Sequence, residues 1–362
     1  MEIKSRNTNT LMLEFIRLIT DVRHVVREDS RNGPVTRFRE PVTICLTHPW
    51  ERVNFNPTRD GNPFFHLMEA LAMLAGVNSA KLMAHFTKNM LAYSDDGETF
   101  NAFYGTRLRQ YRTKRQHFPL AAVFDAQDQL EDVITVLRND PLSRQAVAML
   151  WDPADLPYRE TKDKACNLCL VFSNDQGKLR MTSFNRSNDG IFGGVMGANI
   201  VHLSMFQEYV ALALGLPIGE WWHTSNNLHV YEKNEKWPAL SGLTPADYQD
   251  IYPNVDRGAL KHLFTPGLPV ERTVFEAELR RFFMEITSVY KTALTVDART
   301  YQNEFLRDTA APVFNAWQGH KSGDKIAAAQ RAEGIAAPDW RVACMDWLER
   351  RFYRMEKKEV AK

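Results

Sequence analysis

The chain carries few side chains able to do covalent chemistry, and they concentrate in its middle third. Cys166 and Cys169 have CxxC spacing in the apolar segment Cys166 to Phe172, which is bounded by the turn Ser173-Asn174-Asp175-Gln176-Gly177. That pattern predicts a strand. Side chains three apart on a strand point to opposite faces, so both thiols cannot grip one metal ion. No second CxxC or CxxH completes a tetrahedral set, and no metal is expected. Cys166 is then either a nucleophile or a small buried hydrophobe. A nucleophilic thiol needs a lowered pKa, which a neighbouring arginine supplies. Arg186 lies one hairpin downstream in Arg186-Ser187-Asn188-Asp189, a string that otherwise reads as a plain turn. His223 and His229 flank a polar loop.

Glu69 is a different kind of signal. It sits in Phe64, Phe65, Leu67, Met68, Leu71, Met73 and Leu74, a run apolar nearly all round, punctuated by Asn62 as N-cap, Pro63 and Gly76. A buried carboxylate there requires a partner or a function.

The surrounding elements read as follows. Leu11, Phe15, Leu18 and Val22 predict an opening helix over 10–26, and Glu28 to Pro34 reads as a polar loop. Val42, Ile44 and Leu46 mark a strand; a helix is expected from Asp125 to Arg138 and a strand from Gln145 to Trp151. The Cys166 strand pairs through Gly177 with Lys178 to Asn185. The stretch Gly190 to Gly197 is glycine-rich without the order of a dinucleotide fingerprint, and a long apolar helix follows from Asn199 to Leu214. Beyond residue 238 the pattern is helical, with Arg350-Arg351 and Lys357-Lys358 near a basic end. The fold class is α+β with an α-rich C-terminal part, divided as 1–237 and 238–362.

Composition narrows the function classes. Among 362 residues, 45 Lys+Arg against 44 Asp+Glu leave a net charge of +1, which argues against a nucleic-acid coat or polybasic membrane anchor. Four cysteines are too few for a disulfide scaffold. No apolar run approaches the ~18 residues a membrane span needs, and no signal segment follows the polar start, so a cytoplasmic location is expected.

Several of these elements, in order over about residues 30 to 232, resemble the thymidylate synthases and the related pyrimidine nucleotide hydroxymethylases. They are Asp128-Gln129-Leu130 through Asn139-Asp140-Pro141-Leu142-Ser143-Arg144, Cys166, Arg186 to Asp189, Asn199-Ile200, His223-Thr224 and His229-Val230-Tyr231. The resemblance implies the family's mixed-sheet fold, a homodimer with shared active sites, and methylenetetrahydrofolate as the one-carbon donor. It makes Cys166 the nucleophile that adds to C6 of a pyrimidine, so that C5 can attack the one-carbon unit. Arg31, Arg186 and Ser187, with Arg144 from the second subunit, are implied at the 5′-phosphate. Asn199 matches the base-reading asparagine, and His229 and Tyr231 the pair at the deoxyribose 3′-hydroxyl. Glu69 matches the glutamate that organises water and proton transfer, Tyr104 the tyrosine of the nucleophile's pocket, and Asp189 the folate-contacting aspartate.

Departures from the synthases point to a particular outcome. Asn167 follows the cysteine where synthases carry histidine, an apolar residue near Val171 replaces their glutamine, and Asn226-Asn227 replaces a glycine-aspartate. The folate-lining tryptophans are missing between Met90 and Tyr104, about two extra residues separate Asp189 from Asn199, and the C-terminal third does not resemble a synthase. After one-carbon transfer an exocyclic methylene can be quenched by hydride or by water, and loosened packing around folate favours water. The expectation is a C5 hydroxymethylase of dUMP, of the kind that serves phages or antibiotic pathways making modified pyrimidines, acting in the host cytoplasm if phage-encoded. A divergent thymidylate synthase, a dCMP or CMP hydroxymethylase, and a silent nucleotide-binding homologue are the alternatives.

Overall fold

A computed structural model describes residues 1–114, 124–156, 160–194 and 196–360. Two apolar helices form its centre. In Pro63–Ala75 the Asn62 side chain accepts from the Phe65 N–H at 3.2 Å, and Gly76 ends the helix at φ 70°. Every residue from Pro63 to Leu74 except His66 is buried. Ala198–Leu214 ends at Gly215, φ 69°, and is buried from Ile200 to Leu212. Helices apolar on all sides need neighbours on all sides.

A six-stranded sheet supplies one neighbour, in the spatial order Glu2–Ser5, Val42–Leu46, Ile218–Ser225, Lys178–Asn185, Asn167–Asp175, Val147–Met149. Its inner face contributes Ile44, Leu170, Phe172, Leu179, Met181 and Trp221 to the core. The outer face leaves Val147, Met149 and Phe184 exposed.

A smaller sheet runs in the order Asn188–Asp189, Leu228–Tyr231, Gly33–Phe38, Val25–Ser30. Here the expected Glu28–Pro34 loop is corrected: Val25–Ser30 and Gly33–Phe38 form a hairpin whose turn is Arg31-Asn32, with Gly33 at φ 105°. Arg27 to Ser30 are exposed on both faces, so no alternation announces the first strand, and its pairing comes from Gly33–Phe38, itself held by Leu228–Tyr231 far away in sequence. The opening helix is also shorter than expected. It spans Thr8–Ile19, closed by Thr20, and leaves Val22 79% exposed. The helix expected from Asp125 begins instead at Gln129, where the Asp128 carboxylate caps the Glu131 N–H at 3.1 Å; Asp125 belongs to the strand Phe124–Gln127. The strand expected over 145–151 narrows to Val147–Met149.

The C-terminal helices cover the remaining side of Pro63–Ala75. Phe64 packs 5.4 Å from the Trp317 ring and 5.5 Å from Trp347, which lie 5.6 Å apart on Ala311–Ser322 and Pro338–Val360. Charge ties the same ends together, since Asp60 pairs with Lys236, Arg350 and Arg351. The side chains of Lys357 and Lys358, and Val195 of the glycine-rich stretch, lie outside the described residues.

Candidate active site

Strand register brings Cys166 and Arg186 together. Pairing between Asn167–Asp175 and Lys178–Asn185 slips between Asn167 and Cys169, so Asn167 stands opposite Asn185. One residue further out, the Arg186 N–H donates to the Cys166 carbonyl at 2.9 Å. The guanidinium then folds back over the approach to the strand. Its Nε donates to Ala165 O at 2.8 Å and its Nη2 to Lys164 O at 3.2 Å, leaving Nη2 3.6 Å from Cys166 Sγ. Burial pushes the thiol pKa up, Arg186 and Arg31 pull against it, and Asp163 adds to the rise. A buried thiol with two cations in range is the setting in which a thiolate forms on demand.

Tyr104 and Asn167 complete the floor. The Asn167 N–H donates to Tyr104 Oη at 3.3 Å, and burial raises the phenol pKa so that it stays protonated. The Asn167 amide accepts from Asn185 Nδ2 at 2.9 Å.

The small sheet carries a second group of candidates by register. Asp189 pairs with His229, and Tyr231 follows on the same strand, pairing with Val35. Arg31 sits at the tip of the adjoining hairpin, where Asn32 Nδ2 donates to Tyr231 Oη at 3.3 Å. His229 Nδ1 bonds Asn227 Oδ1 at 2.9 Å, and the Tyr231 ring stands edge-on 5.0 Å away. Burial lowers the His229 pKa, partly offset by Asp189, which favours a neutral imidazole. Asp189 Oδ1 accepts from the Ile191 and Phe192 N–H groups at 3.1 and 3.4 Å, while burial raises its own pKa.

Other candidates are placed more loosely. Asn199 is the second residue of Ala198–Leu214, and its amide makes no hydrogen bond to another described residue. Ser187 is half-buried beside Arg186. Arg144 is exposed on the loop before Val147–Met149, and no described ion pair or hydrogen bond joins it to Cys166 or Arg186 of the same chain. His223 turns inward, its Nδ1 2.7 Å from Ser183 Oγ and its Nε2 2.9 Å from Asn188 Nδ2. Burial drives its pKa down to about 3, so it is a neutral structural group.

Glu69 has a partner that sequence reasoning missed. Its Oε2 lies 2.7 Å from His202 Nε2, between helices Pro63–Ala75 and Ala198–Leu214. A histidine buried in a mostly apolar helix is the same kind of signal as Glu69 itself. Arg59 was missed as well; it is buried, donates to Ile191 O at 3.0 Å, and lies close enough to Asp189 to act on its charge. Among the described residues no cluster of side chains could hold a metal ion, and no helix is long and apolar enough to cross a membrane.

Comparison with known proteins adds names to this geometry. The thymidylate synthase family model matches residues 64–240. The chain is 37% identical over 361 residues to the deoxyuridylate hydroxymethyltransferase of Pseudomonas phage M6, covering 96% of this chain and 94% of the relative. It is 40% identical over 193 residues to the deoxyuridylate hydroxymethyltransferase of Bacillus phage SP01, covering 53% of this chain and 49% of that relative. An α+β fold with these likenesses defines the class, an enzyme of one-carbon transfer. The chain belongs to the thymidylate synthase family.

Proposed function

We propose that this protein is a deoxyuridylate C5 hydroxymethylase that draws its one-carbon unit from methylenetetrahydrofolate. One observation carries the reading. Likeness to the phage M6 deoxyuridylate hydroxymethyltransferase runs over 96% of the chain, including the C-terminal third that lies outside the 64–240 family match.

The Cys166 thiolate adds to C6 of the uracil ring, forming a C–S bond and moving the C5–C6 π pair onto C5 and O4 as an enolate. Arg186, 3.6 Å from the sulfur, lowers the cost of that thiolate. Arg31, Arg186 and Ser187 hold the 5′-phosphate, Asn199 reads the base edge, and His229 with Tyr231 holds the sugar hydroxyl. Asp189 suits the folate: two backbone N–H groups occupy Oδ1, and Oδ2 accepts from no other described residue. When bound, methylenetetrahydrofolate supplies the one-carbon electrophile for C5. The C5 proton leaves to solvent as the C–N bond to tetrahydrofolate breaks, and a water ordered by Glu69 then quenches the exocyclic methylene.

A second copy of the chain completes the phosphate site through its Arg144. Val147, Met149 and Phe184, 41%, 43% and 38% exposed on the outer sheet face, give two copies an apolar surface on which to meet. The enzyme would act in the cytoplasm of a phage-infected host.

Mass spectrometry of products from dUMP, dCMP and CMP with methylenetetrahydrofolate tests the reading. A dUMP product heavier by a hydroxymethyl group is expected. A methyl product, or turnover of a cytosine nucleotide in preference, would replace it.

A further inference from the structure

Glu69 and His202 are 5% and 2% exposed, and they face each other across the two central helices. Their 2.7 Å contact lies off the N–H line: Glu69 Oε2 and both His202 ring nitrogens lack an aligned hydrogen-bond partner. Buried polar groups without a protein partner cost free energy, so this pair calls for a bound water or a functional use. Ser204, Gln207 and Glu208, the other buried polar side chains of Ala198–Leu214, have hydrogen-bond or ion-pair partners, which sets His202 apart.

The placement says what that function is. His202 stands one helical turn after Asn199, on the same side of Ala198–Leu214. His66 stands one turn before Glu69, and burial, Arg59 and His202 together hold it neutral. Arg59, His66 and Val201 line a small surface cleft together with Trp340, Ala343, Asp346 and Arg350 of the C-terminal helix. Through His66 and Val201 the cleft borders the residues next to Glu69 and His202 on their two helices.

We propose that His202 is a positioning residue that holds Glu69 aimed at the water that quenches the exocyclic methylene, the step separating a hydroxymethylase from a methylating enzyme. The inference rests on the hydroxymethylase reading above. Water oxygen bonds to the methylene carbon, its proton passes to Glu69, and the π pair moves to C5, C4 and O4 as an enolate. That enolate then re-forms C5=C6 and expels the Cys166 thiolate, and Glu69 returns its proton to solvent. Without the imidazole, the Glu69 carboxylate loses the polar neighbour 2.7 Å away and is no longer held toward that water.

The test compares the wild type with His202→Leu, which keeps buried volume in an apolar helix, and His202→Gln, which restores an N–H donor. Each is given 5-tritiated dUMP and methylenetetrahydrofolate, with 2-mercaptoethanol as a trap for unquenched methylene. His202→Leu should release tritium within about threefold of wild type, yet form at least tenfold less hydroxymethyl product per tritium released. The thiol adduct should replace it, and His202→Gln should recover much of the ratio. An unchanged ratio in His202→Leu, whether overall activity stays or falls, overturns the inference alone. A wild type that yields a methyl product, or none, overturns the hydroxymethylase reading and the inference with it.

Discussion

Arg186 reaches Cys166 twice, through a backbone hydrogen bond of 2.9 Å and through a guanidinium nitrogen 3.6 Å from the sulfur. The first contact fixes the second, because the bulge beside Asn167 sets which residue faces Cys166. Burial holds the thiol up and this cation holds it down. Removing the cation in Arg186→Ala therefore raises the thiol pKa, and the rise of kcat/KM with pH should move to higher pH. A pH–rate profile checks the direction. Cys166→Ser should lose roughly a thousandfold or more in kcat while retaining nucleotide binding by calorimetry. The corresponding change at Cys169, on the outer sheet face, should leave turnover near normal.

Arg144 is solvent-exposed and unattached to the Cys166 group of its own chain. If a second copy receives it, Arg144→Ala should raise the KM for dUMP by about 10- to 100-fold, the worth of a charge-assisted hydrogen bond. Mixing Arg144→Ala with Cys166→Ser subunits should restore part of the activity, since one hybrid site holds both groups. Verified subunit exchange without complementation would remove the shared-site arrangement.

Asn199 carries an amide with no other described claim on its hydrogen bonds. It can donate to O4 of uracil and accept from the N3 proton, whereas cytosine reverses both demands. Asn199→Asp should shift the ratio of kcat/KM toward dCMP by about 10- to 100-fold, because two polar contacts change sign together. A wild type faster on dCMP than on dUMP would refute the assignment.

A network centred on the buried Glu208 links residues before and after position 238: Arg52 pairs with Glu208, and His262 Nδ1 lies 3.0 Å from Glu208 Oε1. Burial opposes ionisation of Glu208, but Arg52 and His262 outweigh it and hold the group down to about 2. The His262 pKa is raised by the same contact. A raised histidine contributes stability that is complete below about pH 6.5, its unfolded value, and is lost as pH climbs through the folded value. Thermal melts should fall in Tm from pH 6 toward pH 8, and His262→Gln should flatten that slope. An identical slope in the variant would place the pH dependence elsewhere.

Much of this molecule is written locally. Asn62, Pro63 and Gly76 delimit a helix by hydrogen bonding and backbone freedom alone, and Gly177 turns the hairpin behind Cys166 for the same reason. The order of Cys166, Arg186, Asp189, Asn199 and His229 along the chain already marks the family. Pairing at a distance is another matter. The polar run Glu28 to Ser30 becomes a strand only because Gly33–Phe38, braced by Leu228–Tyr231, offers it a ladder, and that ladder brings Arg31 into electrostatic range of the Cys166 thiol. Glu69 announces that it needs a partner, but no spacing within a helix names His202, 133 positions away on another helix. Likewise, nothing in the helical pattern after residue 238 says that Trp317 and Trp347 close over Phe64. Caps and turns depend on neighbours a few residues apart, so sequence determines them; ladders, buried ion pairs and helix packing depend on contacts that exist only once the chain has folded.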